Sequence, residues 1–168
     1  IPLELARAYC AFASGGVLPV PFTLKKVMDE NGKLLTLRHM RAKRIIGPDK
    51  AYIMNSLLRS VVTGGTARGL AGIGLPAAGK TGTTNETRDA WFAGYTPDLL
   101  ALVWMGFDSG EPTGATGATA AVPVWADLVR AVPHRTTGSW YRMPEGIVTL
   151  AVCKESGQLA NEGGCPQY

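Results

Sequence analysis

Apolar positions along the chain predict helices and strands in an order that has no β-α-β alternation. Apolar residues recur at helical spacing in three segments that each begin at or next to a proline, 2–13, 48–62 and 122–132. Short runs rich in apolar and β-branched residues predict strands, at 18–28, 34–37, 79–84, 90–95, 99–108 and 146–153. The order indicates an α+β fold, in which an antiparallel sheet is flanked by helices.

Turn sequences indicate which of these strands are neighbours. Asn31-Gly32 supplies the positive φ angles of a tight turn, so the strands on either side of it are predicted to form a hairpin. Thr96-Pro97-Asp98 is equally short and makes the strands on both of its sides antiparallel neighbours. The glycine-rich segments 64–79 and 109–120 carry few large side chains, and we expect both to be loops.

The composition is that of a folded domain and excludes several functional classes. Hydrophobic residues make up 46% of the 168 residues, which is enough for a core, and the net charge is only +4. Basic residues do not alternate with aromatic ones, so nucleic acid is not a predicted partner. No apolar run reaches the length of a membrane span. The chain starts at Ile1 without an initiator methionine, and we expect it to be part of a longer protein.

The cysteines and histidines do not predict a zinc site. The chain has no C-x-x-C pair, and His39 and His134 are far from the cysteines in sequence. Cys10 lies on the apolar face of the first helix, where we expect a buried small hydrophobe. Cys153 and Cys165 flank part of a polar tail and would suit a loop-closing disulfide outside the cytosol, but the sequence is equally compatible with two thiols.

The candidate chemistry is concentrated in Gly79-Lys80-Thr81-Gly82-Thr83-Thr84. A fixed cation, hydroxyl donors and glycines that let a ligand approach the backbone are typical of an anion-binding site. One interpretation is a P-loop nucleotide-binding domain, because residues 74–81 match G-x-x-x-x-G-K-[ST]. A P-loop needs an apolar strand before it and a helix directly after its Lys-Thr pair. The neighbouring residues suit neither element, which disfavours this interpretation.

The second interpretation is the K-T-G strand of a serine acyl-transfer site. Lys80 would bring positive charge to a substrate carboxylate. The hydroxyls of Thr81 and Thr83 would lie on one face, because side chains alternate along a strand. Gly82 between them would let substrate backbone pair with the strand, and a backbone N–H there could serve as an oxyanion donor.

Longer stretches resemble the C-terminal part of the transpeptidase domain of class A (bifunctional) penicillin-binding proteins. The resemblance is carried by residues 80–85, 88–97 and 103–108, and it is supported by Gly64-Gly65-Thr66-Ala67 and Pro123-Val124-Trp125. It implies a β-lactamase/transpeptidase-like fold whose sheet is incomplete in this chain. It divides the chain into a transpeptidase portion, 1–145, and a C-terminal tail, 146–168. It also implies a peptidoglycan synthase anchored at the extracytoplasmic face of the bacterial inner membrane.

The resemblance further implies a reaction and a set of site residues. In this family a serine is acylated by the penultimate D-alanine of a peptidoglycan stem peptide, and an amine of a neighbouring stem then accepts the acyl group. β-Lactam antibiotics acylate the same serine, and no cofactor takes part. Carried onto this chain, Lys80 and Gly82 line the site wall, and Thr81 and Thr83 bind the carboxylate of the substrate or antibiotic. The Thr83 N–H completes the oxyanion hole.

The residues that follow the motif are expected to have structural roles. We expect Arg88 and Asp89 to fix the turn after the K-T-G strand rather than to touch substrate. The aromatic residues Trp91, Phe92 and Trp104 are predicted to belong to the core.

The other two motifs of the family are absent from this sequence. None of the six serines has lysine at the third following position or asparagine at the second, so neither S-x-x-K nor S-x-N is present. We therefore expect the nucleophile and base outside this chain, no activity of the chain alone, and folding beside the N-terminal portion of the same protein. A non-catalytic peptidoglycan-binding module that keeps the fold is the remaining alternative.

Overall fold

The computed structural model describes residues 1–132, 138–160 and 165 and has three α-helices around a three-stranded antiparallel sheet. The elements in chain order are α1 (Pro2–Ala13), β1 (Val17–Pro19), β2 (Lys26–Met28), β3 (Leu34–Leu37), β4 (Ala42–Arg44), α2 (Pro48–Thr63), β5 (Ala78–Thr83), β6 (Ala90–Tyr95), β7 (Leu100–Met105) and α3 (Val122–Ala131). This architecture confirms the predicted α+β class. Among the described residues, no helix has the length and apolar character needed to cross a lipid bilayer.

The three predicted helices are confirmed, and each bound lies within one residue of its expected position. Each helix has proline in its first two positions, where the missing N–H breaks no helical hydrogen bond. The second helix ends at Gly64, whose N–H still donates to the Ser60 carbonyl. Local sequence therefore determines where the three helices begin and where the second helix ends.

The main sheet has the strand order β5-β6-β7, with every neighbouring pair antiparallel. Lys80 lies opposite Ala93, which lies opposite Leu102. This register places their side chains on one face, which packs against α1. The other face carries Phe92 and packs against α3. Helices thus cover both faces of the sheet.

The buried pair of Phe92 and Trp125 joins the sheet to α3. Their ring centroids are 5.6 Å apart at an interplanar angle of 87°, an edge-to-face contact. The Trp125 indole N–H donates to the Gly94 carbonyl at 3.0 Å. A Cβ atom at Gly94 would lie 2.6 Å from atoms of the indole, so glycine is required where the tryptophan crosses the strand.

A buried polar network joins α1, α2 and β6. Asn55, only 1% exposed, donates from Nδ2 to the Phe12 carbonyl at 3.0 Å. The Tyr95 hydroxyl donates to Asn55 Oδ1 at 2.7 Å, and burial raises the pKa of this phenol. The Tyr141 hydroxyl donates to the Ala13 carbonyl at 2.9 Å. Two carbonyls at the C-terminal end of α1 therefore accept hydrogen bonds from side chains elsewhere in the fold.

The single strand predicted at 18–28 is wrong, because the chain forms two short strands there. β1 pairs with β4, whereas β2 pairs with β3. Pro19 ends the first strand and Pro21 follows it, and a proline has no N–H to donate to a ladder. The hairpin predicted around Asn31-Gly32 is confirmed, with Gly32 at φ +78°.

Three further expectations need correction. Segment 64–79 is not an extended loop throughout, because Arg68–Ile73 forms a 3-10 helix that buries Leu70. Segment 109–120 leads into a π-helical turn, Gly117–Ala121. Segment 146–153 forms no strand, and its one ladder contact is the isolated bridge between Val152 and Leu159. The two helical turns are rich in glycine and alanine, so they show no apolar periodicity that would predict a helix, and segment 146–153 has only an isolated bridge in place of a paired strand.

Two of the three cysteines form a disulfide and the third is a free thiol. Cys153 and Cys165 form a disulfide, the alternative that the sequence had left open beside two thiols. Cys10 is a free thiol and is half-buried rather than buried, and the partial burial raises its pKa. His134 lies outside the described residues, as do residues 161–164 and 166–168 of the tail.

Candidate functional site

Lys80, Thr81, Gly82 and Thr83 all lie in β5, at one end of the described strand order. The P-loop interpretation of residues 74–81 is wrong, because Lys80 lies within a strand that continues to Thr83. The segment after the strand is a single 3-10 turn, Asn85–Thr87, rather than a helix. A single turn lacks the row of N-terminal amides that holds phosphate in a P-loop.

The hydrogen-bond alternation of the sheet fixes the direction of the β5 backbone groups. The Thr84 N–H donates to the Asp89 carbonyl at 3.1 Å, so these opposite residues form a hydrogen-bonded pair. Opposite pairs alternate in an antiparallel ladder, so Lys80 and Gly82 direct their backbone groups to β6. Thr81 and Thr83 therefore direct their N–H and C=O groups away from β6, to the outer edge of the sheet.

The hydroxyls of Thr81 and Thr83 lie on the α3-facing side of the strand. Both residues alternate with Lys80 and Gly82, and Thr81 lies opposite Phe92. The Thr81 Oγ1 atom is 2.7 Å from Oγ1 of Thr66. The Thr83 Oγ1 atom accepts a hydrogen bond from the Gly117 N–H at 3.1 Å. Each hydroxyl is thus held by a residue far away in the sequence.

The Lys80 side chain leaves β5 on the face opposite to the two hydroxyls, but its ammonium group reaches the outer edge of the strand. The Nζ atom donates to the Thr81 carbonyl at 2.8 Å, and the side chain is exposed. Beside it, an open cleft of about 240 Å³ separates α1 from the sheet, lined by Leu5, Tyr9, Lys80, Thr81, Gly82, Trp91, Ala93 and Leu102. Partial burial raises the pKa of Tyr9, so this wall of the cleft carries a neutral phenol. The outer edge of β5 therefore combines a cation with outward backbone groups.

Asp89 fixes the turn after β5, as predicted. Its N–H donates to Thr84 Oγ1 at 2.8 Å, and the Thr84 hydroxyl donates back to Asp89 Oδ2 at 3.0 Å. The turn contains two residues with positive φ, Glu86 at 58° and Thr87 at 53°. The Arg88 guanidinium pairs with the Glu86 carboxylate, with Nε 3.1 Å from Oε2. Both predicted turn residues therefore have partners within or next to the turn.

The predicted core role holds for one of the three aromatic residues near the motif. Phe92 is fully buried, and Trp91 is half-buried. Trp104 is 42% exposed, so its assignment to the core is wrong. Its ring lies 6.0 Å from that of Trp91, and its N–H donates to Asp89 Oδ1 at 2.8 Å. The hydrogen bond holds the indole at the rim of the sheet.

Sequence reasoning missed two residues that contact the motif, Thr66 and Gly117. They lie 15 and 34 residues from their threonine partners. A Cβ atom at Gly117 would lie 2.6 Å from the Gly82 carbonyl oxygen, so the glycine permits the close approach to β5. Thr66 belongs to the Gly-Gly-Thr-Ala segment that resembles the family, but its local sequence does not indicate a contact with Thr81.

Comparison with known proteins agrees with this geometry. Residues 2–130 match the penicillin-binding protein transpeptidase domain, and residues 143–168 match the C-terminal domain of penicillin-binding protein 1A. Penicillin-binding protein 1A of Neisseria gonorrhoeae is 41% identical over 156 residues, which cover 88% of this chain. Those residues are 20% of the relative, so the chain spans about a fifth of the length of the curated relatives it matches.

Solved structures show the same fold. The crystal structure of penicillin-binding protein 1A from Haemophilus influenzae matches with a TM-score of 0.89 and 27% identity, over 97% of this chain and 31% of that one. The D,D-transpeptidase domain of a peptidoglycan glycosyltransferase from Eggerthella lenta matches with a TM-score of 0.63 and 28% identity, over 79% of this chain and 32% of that one. With the family model matching most of its length, this chain belongs to the penicillin-binding protein transpeptidase domain family.

Proposed function

We propose that this chain forms one wall of the active site of a serine-type D,D-transpeptidase that cross-links peptidoglycan stem peptides. One observation carries the proposal: the backbone N–H of Thr83 points to the outer edge of β5, where the Lys80 ammonium group also lies. An N–H held by a sheet is a preorganised donor for an oxyanion. The Eggerthella lenta relative, named as a D,D-transpeptidase domain, supports the proposed reaction class.

The edge of β5 would bind the acyl donor by backbone pairing and charge. Lys80 would attract the terminal carboxylate of the stem peptide, and the hydroxyls of Thr81 and Thr83 would donate to it. The outward N–H and C=O groups of β5 can pair with the peptide backbone as a neighbouring strand would. Gly82 has no side chain to obstruct this pairing. Bound in this way, the carbonyl of the penultimate D-alanine would lie beside the Thr83 N–H.

The chemical step would use groups supplied by another part of the protein. A serine oxygen would attack the D-alanine carbonyl, and its proton would pass through a base to the departing amine of the terminal D-alanine. The acceptor amine would then attack the acyl ester, and the serine would regain a proton. In both tetrahedral intermediates the Thr83 N–H would stabilise the negative oxygen. A β-lactam would follow the first half of this sequence, its ring amide replacing the peptide bond.

This proposal includes a partner and a location. The partner is the N-terminal portion of the same protein, which would contribute the serine and its base, so this chain alone would have no activity. The protein would act at the extracytoplasmic face of the inner membrane, because stem peptides are cross-linked there. Residues 1–145 would form the transpeptidase portion, and residues 146–168 would form its tail.

The test is acylation by a penicillin, measured as the intact mass of the protein. In the full-length protein we expect one adduct, mapped by peptide sequencing to a serine outside this chain, and no adduct on the isolated chain. Lys80→Ala in the full-length protein should lower the acylation rate at least tenfold. Lys154→Ala, which changes an exposed lysine of the tail, is the matched control and should leave the rate unchanged.

Two results would contradict the proposal. An adduct on a residue of the isolated chain would show that the nucleophile lies within it. A full-length protein that reacts equally fast with and without Lys80 would show that the edge of β5 does not bind the antibiotic.

A further inference from the structure

The two hydroxyls of β5 have hydrogen-bond partners from outside the strand. Thr66 follows the end of α2 and lies 2.7 Å from Thr81, oxygen to oxygen. Gly117 begins the π-helical turn before α3 and donates its N–H to Thr83 Oγ1 at 3.1 Å. The two contacts reach the strand from separate segments, so they are independent features of the fold.

The hydrogen-bonding capacity of a hydroxyl decides whether Thr81 and Thr83 can still donate to a ligand. A hydroxyl has one proton to donate and two lone pairs that accept. A backbone N–H can only donate, so Thr83 Oγ1 is the acceptor of the Gly117 bond and keeps its proton for another group. Between Thr66 and Thr81 either oxygen can be the donor. The direction of that bond decides whether the Thr81 proton is available to a ligand.

A bound carboxylate would fix the direction. An ionised carboxylate only accepts hydrogen bonds, so Thr81 can bind one only by donating its single proton to it. Thr66 must then donate to Thr81. The result is a chain of two hydrogen bonds from Thr66 through Thr81 to the anion, in which each bond polarises the next. The Gly117 N–H acts in the same way on the hydroxyl of Thr83.

We infer that Thr66 is a positioning residue that holds the Thr81 hydroxyl as a donor to the carboxylate of the substrate or antibiotic. This inference rests on the proposed function and extends its carboxylate site beyond β5. Thr66 does not need to touch the ligand. Its side chain is exposed, so its loss should change the hydrogen-bonding state of Thr81 more than the packing of the core.

The experiment compares a penicillin with its methyl ester, which has the same ring but no carboxylate. Acylation rates of the full-length protein are measured by intact mass for Thr66→Val, Thr66→Ser and Thr63→Val. Valine keeps the shape of threonine without the hydroxyl, whereas serine keeps the hydroxyl. Thr63, at the exposed end of α2, is the matched control.

We expect Thr66→Val to slow acylation by the free acid about three- to tenfold, the factor that corresponds to one ordinary hydrogen bond. Its rate with the ester should stay within about twofold of wild type, and Thr66→Ser and Thr63→Val should retain the rate with the acid. If Thr66→Val lost the same factor in acylation rate with the acid and with the ester, or lost none with either, the inference would be overturned. The proposed function would still stand in that case, provided that the wild-type protein is acylated. A wild-type protein that reacts with neither compound would instead refute the proposed function, and this inference with it.

Discussion

The indole N–H of Trp104 donates to the Asp89 carboxylate at 2.8 Å and thereby joins the end of β7 to the turn that follows β5. Asp89 also exchanges two hydrogen bonds with Thr84 across that turn. One carboxylate therefore connects two strands that are not neighbours in the sheet. The candidate oxyanion donor, the Thr83 N–H, lies at the end of the strand that this carboxylate holds.

Replacing Asp89 should destabilise the fold and misplace the end of β5. We expect Asp89→Ala to lower the free energy of unfolding by about 1–3 kcal/mol, since it removes the acceptor for Thr84 and Trp104. Trp104→Phe removes one of these bonds and keeps much of the aromatic contact, so its effect should be smaller. Urea unfolding of the full-length protein measures both variants. Equal stability of Asp89→Ala and wild type would contradict the role assigned to this carboxylate.

Gly117 should tolerate no side chain. The added Cβ atom of Gly117→Ala would meet the Trp91 carbonyl oxygen and lie 2.6 Å from the Gly82 carbonyl oxygen, both of which are backbone atoms. We expect a loss of about 1–3 kcal/mol of stability and a fall in penicillin acylation, because β5 must shift to relieve the contact. Gly114→Ala is not a matched control, since that glycine has φ +68°. Gly69→Ala is suitable, because a Cβ atom there meets nothing within 4 Å.

The disulfide between Cys153 and Cys165 should stabilise the tail without affecting the site. It closes a segment of 12 residues, for which the chain-entropy estimate is about 3 kcal/mol. We expect Cys153→Ser to make the tail more sensitive to limited proteolysis and to leave the acylation rate within about twofold. Wild-type protein treated with reductant should show the same cleavage pattern. A Cys153→Ser protein with wild-type resistance to protease would contradict this prediction.

Stability should fall at high pH through the buried tyrosines. Burial raises the pKa of Tyr95 and of Tyr141 above the ordinary value of 10.0. Because the folded state raises these pKa values, the contribution of the two phenols to the free energy of unfolding is fully present below the pKa of tyrosine in the unfolded chain. This contribution is lost as the pH rises above about 10, because the unfolded state then releases the phenol protons more readily than the folded state does.

The test is the thermal midpoint of wild type and Tyr95→Phe between pH 7 and 11. At pH 7 the variant should be less stable by about 1–3 kcal/mol, because Asn55 Oδ1 loses its donor. Between pH 9.5 and 11 its midpoint should fall less steeply than that of wild type. Parallel curves would show that Tyr95 makes no contribution to the alkaline loss of stability.

The sequence predicted those elements whose signals are local. Pro2, Pro48 and Pro123 mark helix starts, and the Asn31-Gly32 turn sets a hairpin, because each acts through its own backbone angles. The strand that contains Lys80 followed from its motif and from the absence of helix formers beyond it. These features need no information from distant parts of the chain.

The remainder depends on contacts between residues that are distant in sequence. The pairing of Val17 with Arg44 joins β1 to β4, which are separated in sequence by the β2-β3 hairpin, and no local sequence pattern predicts this pairing. The contact between Thr66 and Thr81 depends on how α2 lies beside β5. The sequence predicts Trp104 in the core because aromatic side chains are mostly buried, but Trp104 lies at the rim, where its N–H donates to the Asp89 carboxylate.

The buried network around Asn55 limits how α1 can move. The carbonyls of Phe12 and Ala13 would each lose a hydrogen bond if the C-terminal end of this helix were displaced. Its first residues, 2–5, are exposed, and one of them, Leu5, lines the cleft beside Lys80. We therefore expect a widening of that cleft to move the N-terminal end of α1, with Leu5, more than the anchored C-terminal end.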